Sequence, residues 1–437
     1  MGLSNKHYKG HRDFLPPLKR KQDFLFNKMK SCAEIFGYEP YDGPLLEEVE
    51  LYKAKSGEEL INEQIYSFLD RGEREVAIRP EMTPTLARMV AQIHKETPKP
   101  IRWYSIPNLY RYERPQKGRL REHWQFNCDI FGAPEGKGEI EIFQVLIQFF
   151  KSLGANEKHF EILVNDRKLV DAIFTQVLQI DESTAYQLYK IIDKSKKIDE
   201  AAQSKMLENT SLSQEQITVF FEYLQLESFQ DVIEFCESNG LESQCRNFIK
   251  FLEKCEELGI QKYINYDASI VRGLDYYTGI VFEVFDKNPE NRRAICGGGA
   301  YDGLMKIFNE PLLPGVGFGM GDVTLSDFLE THKLLPEFNH APIQNFISFQ
   351  SESAEHLAWK LASNLRQHGL NTEVCLESIR PKKVFNIAEK KDIPFVFFFG
   401  EDELRDKTVQ IKNLKTKETK TVHSDNINEI LEFVKKN

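Results

Sequence analysis

Five basic residues, Arg111, Arg114, Lys117, Arg119 and Arg121, fall within RYERPQKGRLREHWQF, residues 111–126 of a 437-residue chain whose net charge is −10. Only Glu113 and Glu122 oppose them locally. Guanidinium groups fixed on strands grip phosphate oxygens in pairs, so one reading is an anion site. The other is a solvated hairpin, the usual fate of a charge run. Pro115 and Gly118 break the middle, which argues against one helix and for two extended arms around a basic turn. Just beyond, alternation from Gln125 puts Asn127 and Asp129 on the same face of a strand. Polar groups there need partners, which a wet sheet face or a ligand can supply.

Two further stretches carry chemistry. VRGLDYYTG, residues 271–279, sets Arg272 and Asp275 beside Tyr276 and Tyr277, whose hydroxyls can orient a polar ligand while the rings pack. CGGGAYDG and PGVGFGMGD are strand-like and rich in glycine, which lets a flat ligand or another backbone approach closely. Neither is GxGxxG, and no GxxxxGK[ST] loop occurs, so a dinucleotide or P-loop site is unsupported. GxSxG and HExxH are also absent. The seven cysteines form no CxxC pair, which argues against zinc and structural disulfides and for a reducing cytoplasm. The first residues lack an apolar signal region, and no apolar run is long enough for a membrane span.

These side chains need elements to position them. Residues 18–37 read as a helix with Leu25, Met29, Cys32, Ala33 and Phe36 on its apolar face and Gly37 as its stop. REVAIR, residues 74–79, alternates like a strand, and a helix should start after Pro80. IRWYSIPNLYRYE and HWQFNCDIFG suit paired antiparallel strands around the basic turn, and EIEIFQVLIQFFKSLG an amphipathic helix. Residues 167–260 turn helical and acidic, with 16 acids against 8 Lys and Arg between 181 and 260, a local net of about −8. Strands return through GIVFEVF and the glycine runs. From about 340 onward, strands alternate with helices around the fully apolar IPFVFFFG, which predicts a small α/β domain after an α+β body.

Together these segments resemble the histidyl-tRNA synthetases, a family of class II aminoacyl-tRNA synthetases, over nearly the whole chain. HRDFLPP resembles the family's start. GYEPYDGPLLEEVELY resembles motif 1, with Pro44 as its proline and dimer contact as its role. ERPQKGR is the specific core of motif 2, VRGLDYYTG and CGGGAYDG resemble the histidine signatures, and GVGFGMGD the start of motif 3. The resemblance implies an antiparallel sheet with flanking helices over residues 1–330, a helical insertion at about 167–260, and an anticodon-binding domain over 340–437.

The activity it implies is ATP-dependent ligation of L-histidine to histidine tRNA through a histidyl adenylate, in a cytoplasmic homodimer. It also implies Mg²⁺ accompanying ATP, no zinc and no organic cofactor. Carried over by position, Glu81, Thr83 and Gln125 would hold the histidine ammonium, with Met82 also among the histidine-binding residues. Asp129 and Tyr277, with Tyr276 nearby, would hold the imidazole. Arg111 would bind the α-phosphate, Glu113 the adenine and Arg119 the distal phosphates. Arg272 would join the histidine carboxylate to the α-phosphate, and Arg114 and Gln116 would meet the tRNA acceptor end. Two arginines of the family pattern are replaced, by Ala300 and Thr324. Both are expected to leave the phosphates short of a cation, for which Arg292 or Arg293 could stand in. The competing expectation is a non-catalytic relative, the regulatory subunit of ATP phosphoribosyltransferase.

Overall fold

Helix α1, Pro16–Ile35, forms where apolar spacing demands it, and Gly37 beyond its end takes the left-handed φ of 78° that favours glycine. Leu25, Met29, Cys32 and Ala33 are buried on its inner face. The computed structural model describes residues 3–54, 57, 60–196, 198–208, 210–271, 276–338 and 342–436. The chain divides into two compact units, Met1–Asp13 with Asp23–Leu335, and Phe14–Gln22 with Pro336–Asn437.

The larger unit is built on a mainly antiparallel sheet. Its central strands are β1 (Ile101–Ser105), β2 (Glu122–Phe131), β3 (Phe160–Asp166), β4 (Ile280–Asp286), β5 (Cys296–Ala300) and β6 (Gly315–Gly321), in spatial order β1-β2-β6-β5-β4-β3. Strict alternation gives this sheet two unlike faces. Phe126, Cys128 and Ile130 of β2 enter an aromatic core with Phe143, Phe149 and Phe150 of helix α2, Lys137–Ser152. Phe150 stacks on Phe160 at 4.4 Å between centroids, and Phe143 meets Phe282 edge-on at 4.7 Å. Each such ring contributes about 1.5–3 kcal/mol by leaving water. Gln125, Asn127 and Asp129 take the other face, which is left open to a ligand.

The acidic segment is helical, as its composition predicts. Asp181, Asp199, Ser213 and Ser228 cap four of its helices with side-chain oxygens on free backbone N–H groups. It is nonetheless continuous with the main body. Phe220, Tyr223, Phe248 and Phe251 belong to the same apolar cluster as α2 and β4, and Phe251 meets Phe143 at 5.1 Å. The smaller unit carries a five-stranded sheet in which Thr372–Val374, Asn345–Phe349 and Phe395–Phe399 run parallel. Thr408–Asn413 and Thr419–His423 extend it antiparallel, completing the α/β layer expected there.

Phe251→Ala should therefore destabilise the whole larger unit by about 3–5 kcal/mol. Denaturant unfolding followed by far-UV dichroism and by tryptophan emission should shift as one transition. A separate early loss of helix would show the segment to be an independent module.

Candidate active site

The basic hairpin has the two arms expected. Gln116 and Arg119 exchange backbone hydrogen bonds at the tip, and the Arg111 N–H donates to the Arg121 carbonyl at 2.9 Å. Its five cations divide into different environments. Arg121 is buried, lying over the Tyr112 ring at 4.0 Å and packed on Gly10. Arg119 pairs with Glu113 at 2.7 Å. Arg114 and Lys117 are exposed at the tip with Gln116. Arg111 points inward, its Nε donating to the Pro80 carbonyl at 2.9 Å.

On the open face lies a cavity of about 60 Å³ lined by Glu81, Thr83, Arg111, Gln125, Asn127, Asp129, Tyr276, Tyr277 and Tyr301. The glycines of β6 make room for it. A methyl at Gly319 would come within 2.7 Å of the Gln125 amide, and one at Gly317 would overlap the Asp129 carboxylate. Asp129 is buried and accepts a hydrogen bond from the Tyr301 hydroxyl. Burial pushes its pKa up to about 7, with the Tyr301 bond acting the other way. The site thus holds a carboxylate that charges near neutral pH and gains from a donor or cation.

A wider cleft of about 950 Å³ adjoins this cavity, walled by Arg111, Glu113, Arg119, His123, Arg292, Arg293 and Thr324 among others. Arg111, Gln125, Gly297 and Gly319 line both spaces, so Arg111 is the charged side chain at their junction. The N-terminal segment is fastened beside this wall. Arg12 pairs with the buried Asp322 at 2.8 Å, and Asp322 also accepts from the Trp124 N–H at 2.9 Å. Asp322 opens helix α3, Asp322–Thr331.

Most of the residues singled out in the sequence meet here, with exceptions. Arg272 and Asp275 lie outside the described residues. Met82 is buried and packs toward Gly43 instead of lining the cavity. The expectation that Ala300 withholds a cation from the phosphates is corrected. Strand alternation turns Ala300 to the helix-covered face, where it borders a void of about 190 Å³ with Gly138, Glu139 and Asp166. Thr324 does wall the cleft, its hydroxyl donating to the Ile295 carbonyl at 3.1 Å. Three residues went unsingled in the sequence. Tyr301 is 172 positions from the carboxylate it bonds. Asn127 was noted only for its face. His123 follows the same alternation as Gln125, and burial with the charges of Arg111, Arg12 and Arg119 pushes its pKa down to about 3, leaving a neutral ring in the cleft wall.

The chain is similar to known proteins along nearly its whole length. The family model "Histidyl-tRNA synthetase" matches residues 10–323, and "Anticodon binding domain" matches 342–437. A histidine–tRNA ligase of Leptospira biflexa is 41% identical over 420 residues, covering 95% of this chain and 94% of its own. The chloroplastic/mitochondrial histidine–tRNA ligase of Arabidopsis thaliana is 36% identical over 94% of this chain and 83% of its own. In fold, the chain is similar to the histidyl-tRNA synthetase of Nostoc sp., with a TM-score of 0.81 at 24% identity over 99% and 100% of the two chains.

The buried carboxylate makes a prediction of its own. Asp129 binds its proton more tightly folded than unfolded, so its burial costs stability once pH rises through about 7 and costs none below the ordinary carboxylate range. Asp129→Asn should raise the melting temperature at pH 8, with the gain fading as pH falls from 7 toward 4. A melting temperature unchanged at pH 8 would contradict the burial of a charge there.

Proposed function

The chain belongs to the histidyl-tRNA synthetase family, and from that premise we propose how its residues divide the work. The reaction is ATP-dependent ligation of L-histidine to histidine tRNA through a histidyl adenylate. A histidine carboxylate oxygen attacks the α-phosphorus of ATP, the bond to the β-phosphate bridging oxygen breaks, and pyrophosphate leaves. No proton moves in that step, so alignment and charge neutralisation are what the protein must supply. The 3′-hydroxyl of the terminal tRNA adenosine then takes the acyl group, and AMP departs.

The observation that carries this reading is Arg111 at the junction of the two spaces. We assign the small cavity to histidine and the wide cleft to magnesium-bound ATP, so that carboxylate and α-phosphate meet at Arg111. Glu81, Thr83 and Gln125 hold the ammonium group. Asp129, fixed by Tyr301, accepts from one imidazole nitrogen, and Tyr277 and Tyr276 complete the ring's surroundings. A side chain lacking the imidazole N–H would leave this buried carboxylate short of its second donor, which is a basis for rejection. Glu113 faces the adenine while orienting Arg119 toward the distal phosphates; Arg272, to which the family pattern gives the histidine carboxylate and the α-phosphate, lies outside the described residues. Arg114 and Gln116, exposed at the hairpin tip, reach the acceptor end of tRNA. The catalytic domain spans about 1–330 and the anticodon-binding domain about 340–437.

Dimerisation is part of the same proposal. The small sheet of strands Leu46–Glu48, Tyr66–Leu69 and Glu75–Ile78 exposes Leu46 and Phe68 on the face they share with Val76 and Ile78. We assign this apolar face to a second copy of the chain. Among the described residues no helix is long and apolar enough to cross a membrane. A regulatory role has only fold likeness behind it. A Bacillus halodurans protein described as an ATP phosphoribosyltransferase regulatory subunit/histidyl-tRNA synthetase superposes with a TM-score of 0.76 at 21% identity, covering 92% of this chain and 99% of that one.

The purified chain should show histidine-dependent ATP–pyrophosphate exchange and charge histidine tRNA. Arg111→Ala should lower exchange by about 10²–10³-fold. Asp129→Asn should remove the preference for histidine over other amino acids. Absence of histidine-dependent exchange in the unaltered chain would refute the reading. Leu46→Glu with Phe68→Glu should yield a monomer in sedimentation, and an unchanged sedimentation coefficient would remove this face from the dimer.

A further inference from the structure

Where the basic hairpin meets the connection from β4 to β5, two guanidinium groups, Arg119 and Arg293, stand around the one carboxylate of Glu113. Arg119 and Glu113 already satisfy each other at 2.7 Å. Beside them stands Arg293, in the connection from β4 to β5, half-buried and without an ion-pair partner among the described residues. Burial and the neighbouring Arg119 both oppose its protonated form, and only the already engaged Glu113 favours it. Two other acids of the cleft are occupied elsewhere. Asp286 bonds His332 and Asn291, and Asp267 bonds Lys196 and Ser269.

The stem of Arg293 is held in place by packing. Its Cδ would lie 2.8 Å from a methyl at Gly118, and the Thr324 Cγ2 would lie 3.4 Å from the same point. The hairpin can close on Arg293 only because residue 118 has no side chain, and Gly118 also has a φ of 73°. Thr324, too short to reach across the cleft with a charge, sits against the cation that can. Arg292, next in sequence, is exposed and lacks this support.

Two guanidinium groups kept together in a partly dehydrated wall, with one carboxylate between them, are poised for an anion with several charged oxygens. Both stand on the hairpin side of the cleft, which also receives Arg111 from the small cavity. We propose that Arg293, with Arg119, binds the β- and γ-phosphates of ATP and stabilises the departing pyrophosphate, the task for which Thr324 carries no charge. This rests on the assignment of the cleft to ATP.

Steady-state exchange kinetics on the full chain test it, with histidine, ATP and pyrophosphate varied in turn. Arg293→Ala should raise the KM for ATP and for pyrophosphate by about ten- to a hundredfold, the range of a lost charge-assisted contact. The KM for histidine should stay within about twofold of its original value. Arg293→Lys should recover part of the loss. The melting temperature of Arg293→Ala without ligand should be unchanged or higher, because a guanidinium repelled by Arg119 is removed. An unchanged KM for ATP in Arg293→Ala, with the unaltered chain active, would overturn the assignment alone. So would an equal rise in Arg292→Ala, which would indicate a general field effect and no contact. Failure of the unaltered chain to exchange pyrophosphate would overturn the reading of the cleft and this assignment together.

Discussion

A carboxylate buried beneath a sheet of glycines is the constraint around which the larger unit is arranged. Asp129 lies on a strand whose opposite face is one of the most apolar parts of the molecule, and the Tyr301 hydroxyl offsets part of what burial costs its charged form. The need for space across from it empties β6 of side chains at Gly317 and Gly319. Gly299 of β5 does the same for Tyr277, whose ring would come within 2.8 Å of a methyl there. The glycine runs are therefore the complement of polar side chains on neighbouring strands. Stability is given up at this point, and the aromatic core beneath supplies what is lost.

The hairpin shows how an acidic protein handles polyanions without a basic surface. Its five cations serve different ends: Arg121 is locked over Tyr112, Arg119 is tied to Glu113, Arg111 enters the junction, and Arg114 and Lys117 stay wet. Net charge describes long-range attraction, whereas local geometry decides which oxygen is held. A total of −10 is no obstacle when Arg111, Arg119 and Arg293 line one cleft.

Much of this was legible in the sequence, for identifiable reasons. The face shared by Gln125, Asn127 and Asp129 follows from a period of two, and the hairpin from Pro115 and Gly118 between β-rich arms. The helical nature of residues 181–257 follows from their composition and capping residues. What was hidden depends on contacts between distant positions. Tyr301 stood only as one letter of the glycine-rich CGGGAYDG run until the sheet order brought it to Asp129. Ala300 looked like a lost phosphate ligand because a motif does not state which face of a strand each letter occupies. Arg293 could be named as a substitute for a missing charge, but its separation from Arg292 required the packing of Gly118 and Thr324. Arg272, prominent in the sequence, lies outside the described residues.

The acidic helices share their aromatic core with the sheet, and this has a consequence for how the molecule fails. A flap that swings needs an interface it can leave without baring oil to water. With Phe251 against Phe143, and the Tyr223 hydroxyl donating to the Ala268 carbonyl at 3.0 Å, these helices act as a buttress. Heat-sensitive lesions can therefore arise far from any reactant, in residues that never touch nucleotide or RNA. They would silence the enzyme by loosening the floor under its catalytic sheet.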